Sequence, residues 1–303
     1  MKNNLGLIYA FAAYTWWGFI PIFWKQLSHV DSIEIVMHRM VWACVLVTLL
    51  IIVSRQWRQF KTLLAQPKLI FKLFIASVLV STNWAVFIWA VNNEHLVQTS
   101  LGYFMNPLFS VALGVILFGE VLRRGQMLAL SIAAIGVLYL VLSYGVVPWI
   151  SLVLAVTFAL YGAVKKSVSV PATHGLAVET MCLLIPAAVY LFYIELQGSG
   201  QFFDLPSNTW MLVLGGLFTL VPLVLFAAAA KRISMTALGM TQYIGPSLQL
   251  LIGVFIYNEP FGSQTMIAFG FIWLALAIYS MDQLRHQNVL RRARKAQKKV
   301  QLN

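Results

Sequence analysis

The sequence predicts an all-α integral membrane protein of ten transmembrane helices arranged as two inverted five-helix repeats. Three observations predict it: composition, the spacing of apolar runs, and a motif that recurs at a fixed offset. Of 303 residues, 60% are hydrophobic and 10% charged. A soluble domain carries roughly a quarter charged residues, so lipid must solvate much of this surface. The net charge of +12 does not mark a nucleic-acid face. Its Lys and Arg sit in short clusters between apolar runs, where such a face gathers them on one surface.

A helix needs roughly 20 mostly apolar residues to cross the hydrocarbon core. Cutting at charges and at Pro, Gly and Ser gives spans near 5–24, 33–53, 69–91, 96–118, 124–143, 148–164, 176–194, 209–230, 234–257 and 261–281. Ser143, Tyr144, Gly145 and Pro148 divide the charge-free stretch 125–164 into two of them. The opening run is too long for a signal h-region and has large residues, Phe19, Ile20, Phe23 and Trp24, where a cleavage site needs small ones. It reads as the first span.

Lys and Arg fall in alternate loops: Lys2; Arg55, Arg58, Lys61 and Lys68; Arg123 and Arg124; Lys165 and Lys166; Lys231 and Arg232; and seven between Arg285 and Lys299. The intervening loops carry Asp31, Glu34, Glu94, Glu195, Asp204 and Glu259, with only Lys25 and Arg39 as cations. The positive-inside rule therefore puts both termini in the cytoplasm. The tail from 282 to 303 reads as a topogenic flank or as a site for anionic lipid or a partner.

Pro107, Gly114 and Glu120 recur as Pro246, Gly253 and Glu259, an offset of 139 residues. Trp17-Gly18 and Tyr161-Gly162 form a weaker second match. The first triplet's Glu ends on the cytoplasmic side and the second's outside, so the halves, 1–145 and 146–281, are inverted. Odd numbers of spans per half force that inversion, which typifies secondary transporters with a site between the halves.

Several strings carry a family resemblance over about residues 5–281. They are Trp17-Gly18 with Pro21 and Lys25; Glu34 with His38-Arg39; the run from Asn83-Trp84 to Asn92; Ser100-Leu101-Gly102-Tyr103 with Asn106-Pro107-Leu108; and Gln242-Tyr243-Ile244-Gly245-Pro246-Ser247. On these the chain resembles the ten-span drug/metabolite transporters with two EamA domains, and among them the RarD type. The resemblance implies export or exchange of small organic solutes across the bacterial cytoplasmic membrane; RarD members are described as chloramphenicol-sensitivity proteins. The second half departs from the first in having Leu183 and Leu184 where His38 and Arg39 would repeat.

Thr99, Tyr103, Asn106, Ser110 and Gly114 share one helical face, and the offset maps four of them to Gln242, Gly245, Gln249 and Gly253. Polar-and-small faces line a cavity or join helices; cavity is the reading for Tyr103, Asn106 and Gln242, packing for Ser110 and the glycines. Trp17, Asn83, Trp84, Tyr161 and Tyr243 complete the expected substrate cavity, with Trp84 favoured over Trp24 or Trp149 for stacking on a planar solute. Pro107 and Pro246 interrupt their helices and act as hinges or fixed bends.

Lys25, Glu34, His38 and Arg39 form an expected outer cluster. Either Glu34 and His38 exchange a proton coupled to transport while Arg39 attracts an anion, or Glu34 forms a salt bridge to His38, Lys25 or Arg39 that fixes an outer gate. Glu179 is expected to pair with Lys165 or Lys166, and Glu120 and Glu259 to anchor helix ends. No phosphate-cradling loop or H-E-x-x-H pattern exists, and Cys44 and Cys182 lie in apolar runs. No cofactor, metal or disulfide is therefore expected, and the partners are a small-molecule substrate and the bilayer. An integral-membrane enzyme or a channel-like permease is the competing reading.

Overall fold

The structure, a computed structural model, describes residues 2–92, 96–144, 149–257 and 262–301. Among them are twelve α-helices and no strand: α1 (Lys2–Trp24), α2 (Ser32–Val53), α3 (Trp57–Leu64), α4 (Pro67–Asn92), α5 (Leu96–Phe118), α6 (Arg124–Tyr144), α7 (Trp149–Ser167), α8 (Ala172–Leu196), α9 (Pro206–Ala230), α10 (Met235–Gln242), α11 (Ile244–Phe255) and α12 (Ser263–Gln301). Glu94, Pro148 and Glu259 lie outside the described residues, as does the side chain of Thr99.

Eight helices, α1, α2, α4, α6, α7, α8, α9 and α12, are long and apolar enough to cross a membrane. In α5 the apolar helix Gly102–Phe118 is shorter. The predicted span 234–257 is divided into α10 and α11 at Tyr243. Pro246 explains the division: it has no N–H to offer the Gln242 carbonyl, and its ring crowds that oxygen. Pro107 stands inside an uninterrupted α5.

Local signals set the helix ends. Asp31 caps α2, its carboxylate accepting from the Ile33 and Glu34 amides. Ser234 caps α10 through the Ala237 amide at 3.0 Å, and Pro206 opens α9 where a missing N–H costs nothing. In α3 only Phe60 and Leu63 are buried, so this short amphipathic helix lies with one face on the bundle. The last helix runs on from its apolar segment Met266–His286 through the basic tail.

Helices of the first part of the chain pack across those of the second. The most extensive contacts join α5 to α7, α6 to α12, α2 to α8 and α9, α1 to α9, and α4 to α7, with α1 also against α11 and α5 against α10. The α1–α11 contact depends on Gly18, where a Cβ would stand 2.7 Å from Leu248 Cβ. One core gathers Tyr14, Phe60, Leu73, Tyr161, Leu176 and Phe226; a second joins Phe104, Ala133, Met240, Phe269 and Ala275. Ile8, Phe11, Phe71, Ile116, Leu142, Ile185, Phe192 and Phe255 stay exposed. That outward apolar surface is far beyond what a soluble monomer tolerates and is what a lipid-solvated protein requires.

Candidate functional site

The helix directions define two ends of the bundle: a basic end, where α1 and α4 begin and α2, α7 and α9 finish, and an acidic end opposite. Arg39 stands two turns into α2 from the acidic end. Its Nε donates to Thr219 Oγ1 of α9 at 2.9 Å, and Thr219 donates onward to the Gly215 carbonyl at 2.8 Å. The guanidinium carbon lies over the rings of Trp24 and Trp84, 4.8 and 5.1 Å from their centroids. Tyr103, on α5, packs against Phe87 at 5.9 Å. Arg39, Trp24, Trp84 and Tyr103 are all part-buried side chains of α1, α2, α4 and α5.

Beneath this cluster, toward the basic end, lies a layer of rings. Trp17, part-buried, contacts Tyr14, Phe158 and Phe226 at 5.7–5.9 Å, and Phe226 stacks on Tyr161 at 5.7 Å and 10°. One turn further, Lys165 and Glu179 form an ion pair of 2.5 Å with side chains 1% and 2% exposed. Tyr161 Oη donates to the other carboxylate oxygen at 3.1 Å. Fully buried charges survive only when paired and hydrogen-bonded, and both conditions hold here. Glu120 accepts from the Met235 and Thr236 amides at 2.6 and 2.9 Å and from Thr236 Oγ1 at 2.8 Å, so it caps α10, not its own helix. Lys166 Nζ stands 3.9 Å from it.

The other predicted cavity residues are engaged in helix contacts. Asn83 Nδ2 donates to the Leu154 carbonyl at 2.8 Å and to Thr157 Oγ1 at 3.0 Å. With its amide oriented to satisfy both sides, Asn106 donates to the carbonyls of Ala155 and Leu154 and accepts from Gln242 Nε2 at 3.1 Å. Asn83, Asn106, Gln242, Tyr161 and Tyr243 are all buried. Of the eight residues expected in the cavity, Trp17, Trp84 and Tyr103 therefore keep open surface.

At the acidic end Glu34 Oε1 accepts from the Gln201 amide at 2.8 Å, and His38 Nε2 lies 3.8 Å from that oxygen. The His38 ring stacks on Phe202 at 4.6 Å. Lys25 is exposed, with its ammonium 3.5 Å above the Tyr257 ring. Lys25 and Arg39 thus sit away from Glu34, which the structure groups with His38. A separate surface pocket of about 600 Å³, lined in part by Lys68, Lys72, Ser167 and Ser169, lies at the basic end, away from Arg39.

Trp24, Thr219, Phe202 and Gln201 were not among the expected site residues. A threonine in the middle of the apolar run 209–230 was the available signal for Thr219. Nothing in a loop residue such as Phe202 or Gln201 announces its partner across the fold.

Apolar crossing helices around a part-open polar and aromatic interior define a multi-pass membrane protein of the transporter class. The EamA-like transporter family model matches residues 4–142. RarD of Escherichia coli K12 is 44% identical over 94% of this chain and 97% of its own length. A Bacillus subtilis protein named as an uncharacterized transporter, YojE, is 41% identical over 94% and 96%, and a Pseudomonas aeruginosa protein named chloramphenicol-sensitive protein RarD is 29% identical over 93% and 96%. A solved crystal structure at 14% identity shares the fold, with a TM-score of 0.70 over 92% of this chain and 98% of that one. The chain belongs to the EamA transporters of the drug/metabolite transporter superfamily, and within them to the RarD type.

Proposed function

We propose that this protein is a secondary carrier that moves a small organic solute, a metabolite or drug-like compound, by alternating access, as export or exchange across the bacterial cytoplasmic membrane. It does so with ten spans in two inverted halves, 1–145 and 146–281, both termini and the tail 282–303 being cytoplasmic, which makes the basic end the inner one.

The observation that carries this reading is the contrast in closure along the bundle axis. Toward the basic end the buried, stacked rings of Tyr161 and Phe226 and the Lys165–Glu179 pair fill the interior. Toward the acidic end Arg39, Trp84 and Tyr103 keep open surface. A carrier needs one end closed while the other admits solute, and this arrangement matches the outward-facing member of such a pair. The reciprocal packing, α5 on α7 and α1 on α11, supports inverted halves, since each half leans on the other. The break at Tyr243 gives the second half a joint at the level of the Asn106–Gln242 contact, and Pro246 creates it.

The test is trans-stimulation in proteoliposomes loaded with a labelled bacterial metabolite extract. External unlabelled extract accelerates release of a subset of solutes, saturably, with and without an imposed pH gradient reporting coupling. Release independent of external solute and linear in concentration contradicts a carrier. Labelling of single cysteines in loops at the two ends by an impermeant maleimide checks the topology.

A further inference from the structure

Among the cations of the interior, Lys165 and Lys166 at the basic end each have a carboxylate within 4.0 Å; among the described residues Lys231 at that same end and Arg39 toward the acidic end have none, and of these two Arg39 is the one beside the aromatic cluster. An intramembrane charge is costly and ordinarily faces a partner or water. The two indoles beside Arg39 offset a small part of that cost, roughly 0.5–2 kcal/mol each, and carry no negative charge. Its Nε is committed to Thr219, which fixes the side chain in one orientation. The donors left on the fork are those of Nη1 and Nη2.

We propose that Arg39 is the anion receptor of the solute site, and that the substrate class is a monovalent organic carboxylate with a planar or aromatic body. This rests on the carrier reading above and names its ligand. The Nη1/Nη2 edge of a guanidinium matches the two oxygens of a carboxylate in a bidentate pair, which a single ammonium does not reproduce. Charge balance selects a monoanion. One cation in the cluster is unpaired, and the other Lys or Arg expected at that end, Lys25, is exposed and engaged with Tyr257. A dianion would enter the low-dielectric interior with one charge uncompensated. The part-buried Trp84, Tyr103 and Trp17 supply flat apolar walls, on which a ring gains stacking and dispersion that a short aliphatic acid does not. Thr219 is a positioning residue: it touches Arg39, and through its bond to the Gly215 carbonyl holds it to α9.

Equilibrium binding of radiolabelled benzoate to the purified full-length protein tests this, with benzamide as the neutral isostere, benzylamine as the cation and acetate as the acid without a ring. Benzoate is expected to bind about tenfold or more tightly than benzamide, the strength of one charge-assisted bidentate contact in affinity terms. Acetate is expected to compete more weakly than benzoate, and benzylamine not at all. Arg39→Gln abolishes the preference for benzoate over benzamide, Arg39→Lys keeps part of it, and Trp84→Ala weakens both ligands while preserving their ratio. Thermal unfolding of each variant within a few degrees of the parent confirms that the fold persists. Benzamide competing as well as benzoate, a preference surviving in Arg39→Gln, or no benzoate binding at all overturns the proposal. Trans-stimulated exchange of the metabolite extract separates the two readings. Exchange that persists without any carboxylate preference leaves the carrier standing and removes the anion receptor; absence of exchange removes the carrier reading itself.

Discussion

The two charged regions of the interior solve the same problem in opposite ways. Lys165 and Glu179 lie near the basic end, almost wholly buried, each neutralising the other, with Tyr161 completing the carboxylate's hydrogen bonds. Arg39 lies near the acidic end, part-buried, held by a neutral hydroxyl and two indole faces. A paired charge in a closed environment is a clasp. An unpaired one is, on the proposal above, a receptor for a charge brought from outside. The two sites therefore respond differently to the same kind of substitution.

The largest expected effect is at the clasp. Glu179→Gln leaves the Lys165 ammonium uncompensated among apolar rings, a loss of about 3–5 kcal/mol, read as a large fall in the thermal midpoint of the purified protein. Replacing both groups, Lys165→Met with Glu179→Leu, removes the desolvation cost along with the attraction and restores most of that stability. A double variant no more stable than the single one breaks the clasp account. At Arg39 the sign reverses: Arg39→Gln leaves the midpoint unchanged or raised, because no charge is orphaned and Thr219 keeps its bond to the Gly215 carbonyl, while exchange activity falls by about tenfold or more.

Smaller effects grade the basic end further. Glu120→Ala removes the acceptor of the Met235 and Thr236 amides and leaves Ser234 as the remaining cap of α10, at a cost of about 1 kcal/mol, seen as faster amide exchange confined to the start of α10. Lys231, just beyond α9, has a buried ammonium without a hydrogen-bond partner among the described residues. Burial, and then the neighbouring Lys165, lower its pKa to about 8. Its folded-state value lies below the unfolded one, so between them the unfolded chain binds more protons and stability rises with pH. Unfolding midpoints should climb as pH passes upward through 8, and Lys231→Met should flatten that climb while raising stability at neutral pH.

Much of this was legible in the sequence for a physical reason: lipid punishes polar residues, so apolar run length and the position of charges carry the span boundaries directly. Eight predicted spans coincide with helices able to cross a membrane. The prolines were legible as interruptions, though α5 absorbs Pro107 and only at Pro246 does the helix divide. The short helix α3 was hidden because its two buried residues, Phe60 and Leu63, sit in a loop of otherwise polar character. Within the candidate site, residue type and depth singled out Arg39, Trp84 and Tyr103, and the structure leaves all three part-buried. Whether Asn83 or Asn106 meets solute or a neighbouring carbonyl depends on the facing α7 backbone at Leu154 and Ala155, which periodicity does not encode. Thr219 and Phe202 act through partners about 160 to 180 residues away, beyond any local pattern.

The central claim, that the interior is closed by the basic-end clasp and open toward Arg39, is tested most directly by a cysteine placed at Tyr103 in a background lacking Cys44 and Cys182. Its initial rate of modification by a small impermeant maleimide is measured from each side of oriented proteoliposomes. The account predicts labelling about tenfold or more faster from the acidic end, with Glu179→Gln narrowing the difference by raising access from the basic end. Equal rates from both sides in the otherwise intact protein, or faster labelling from the basic end, would contradict it.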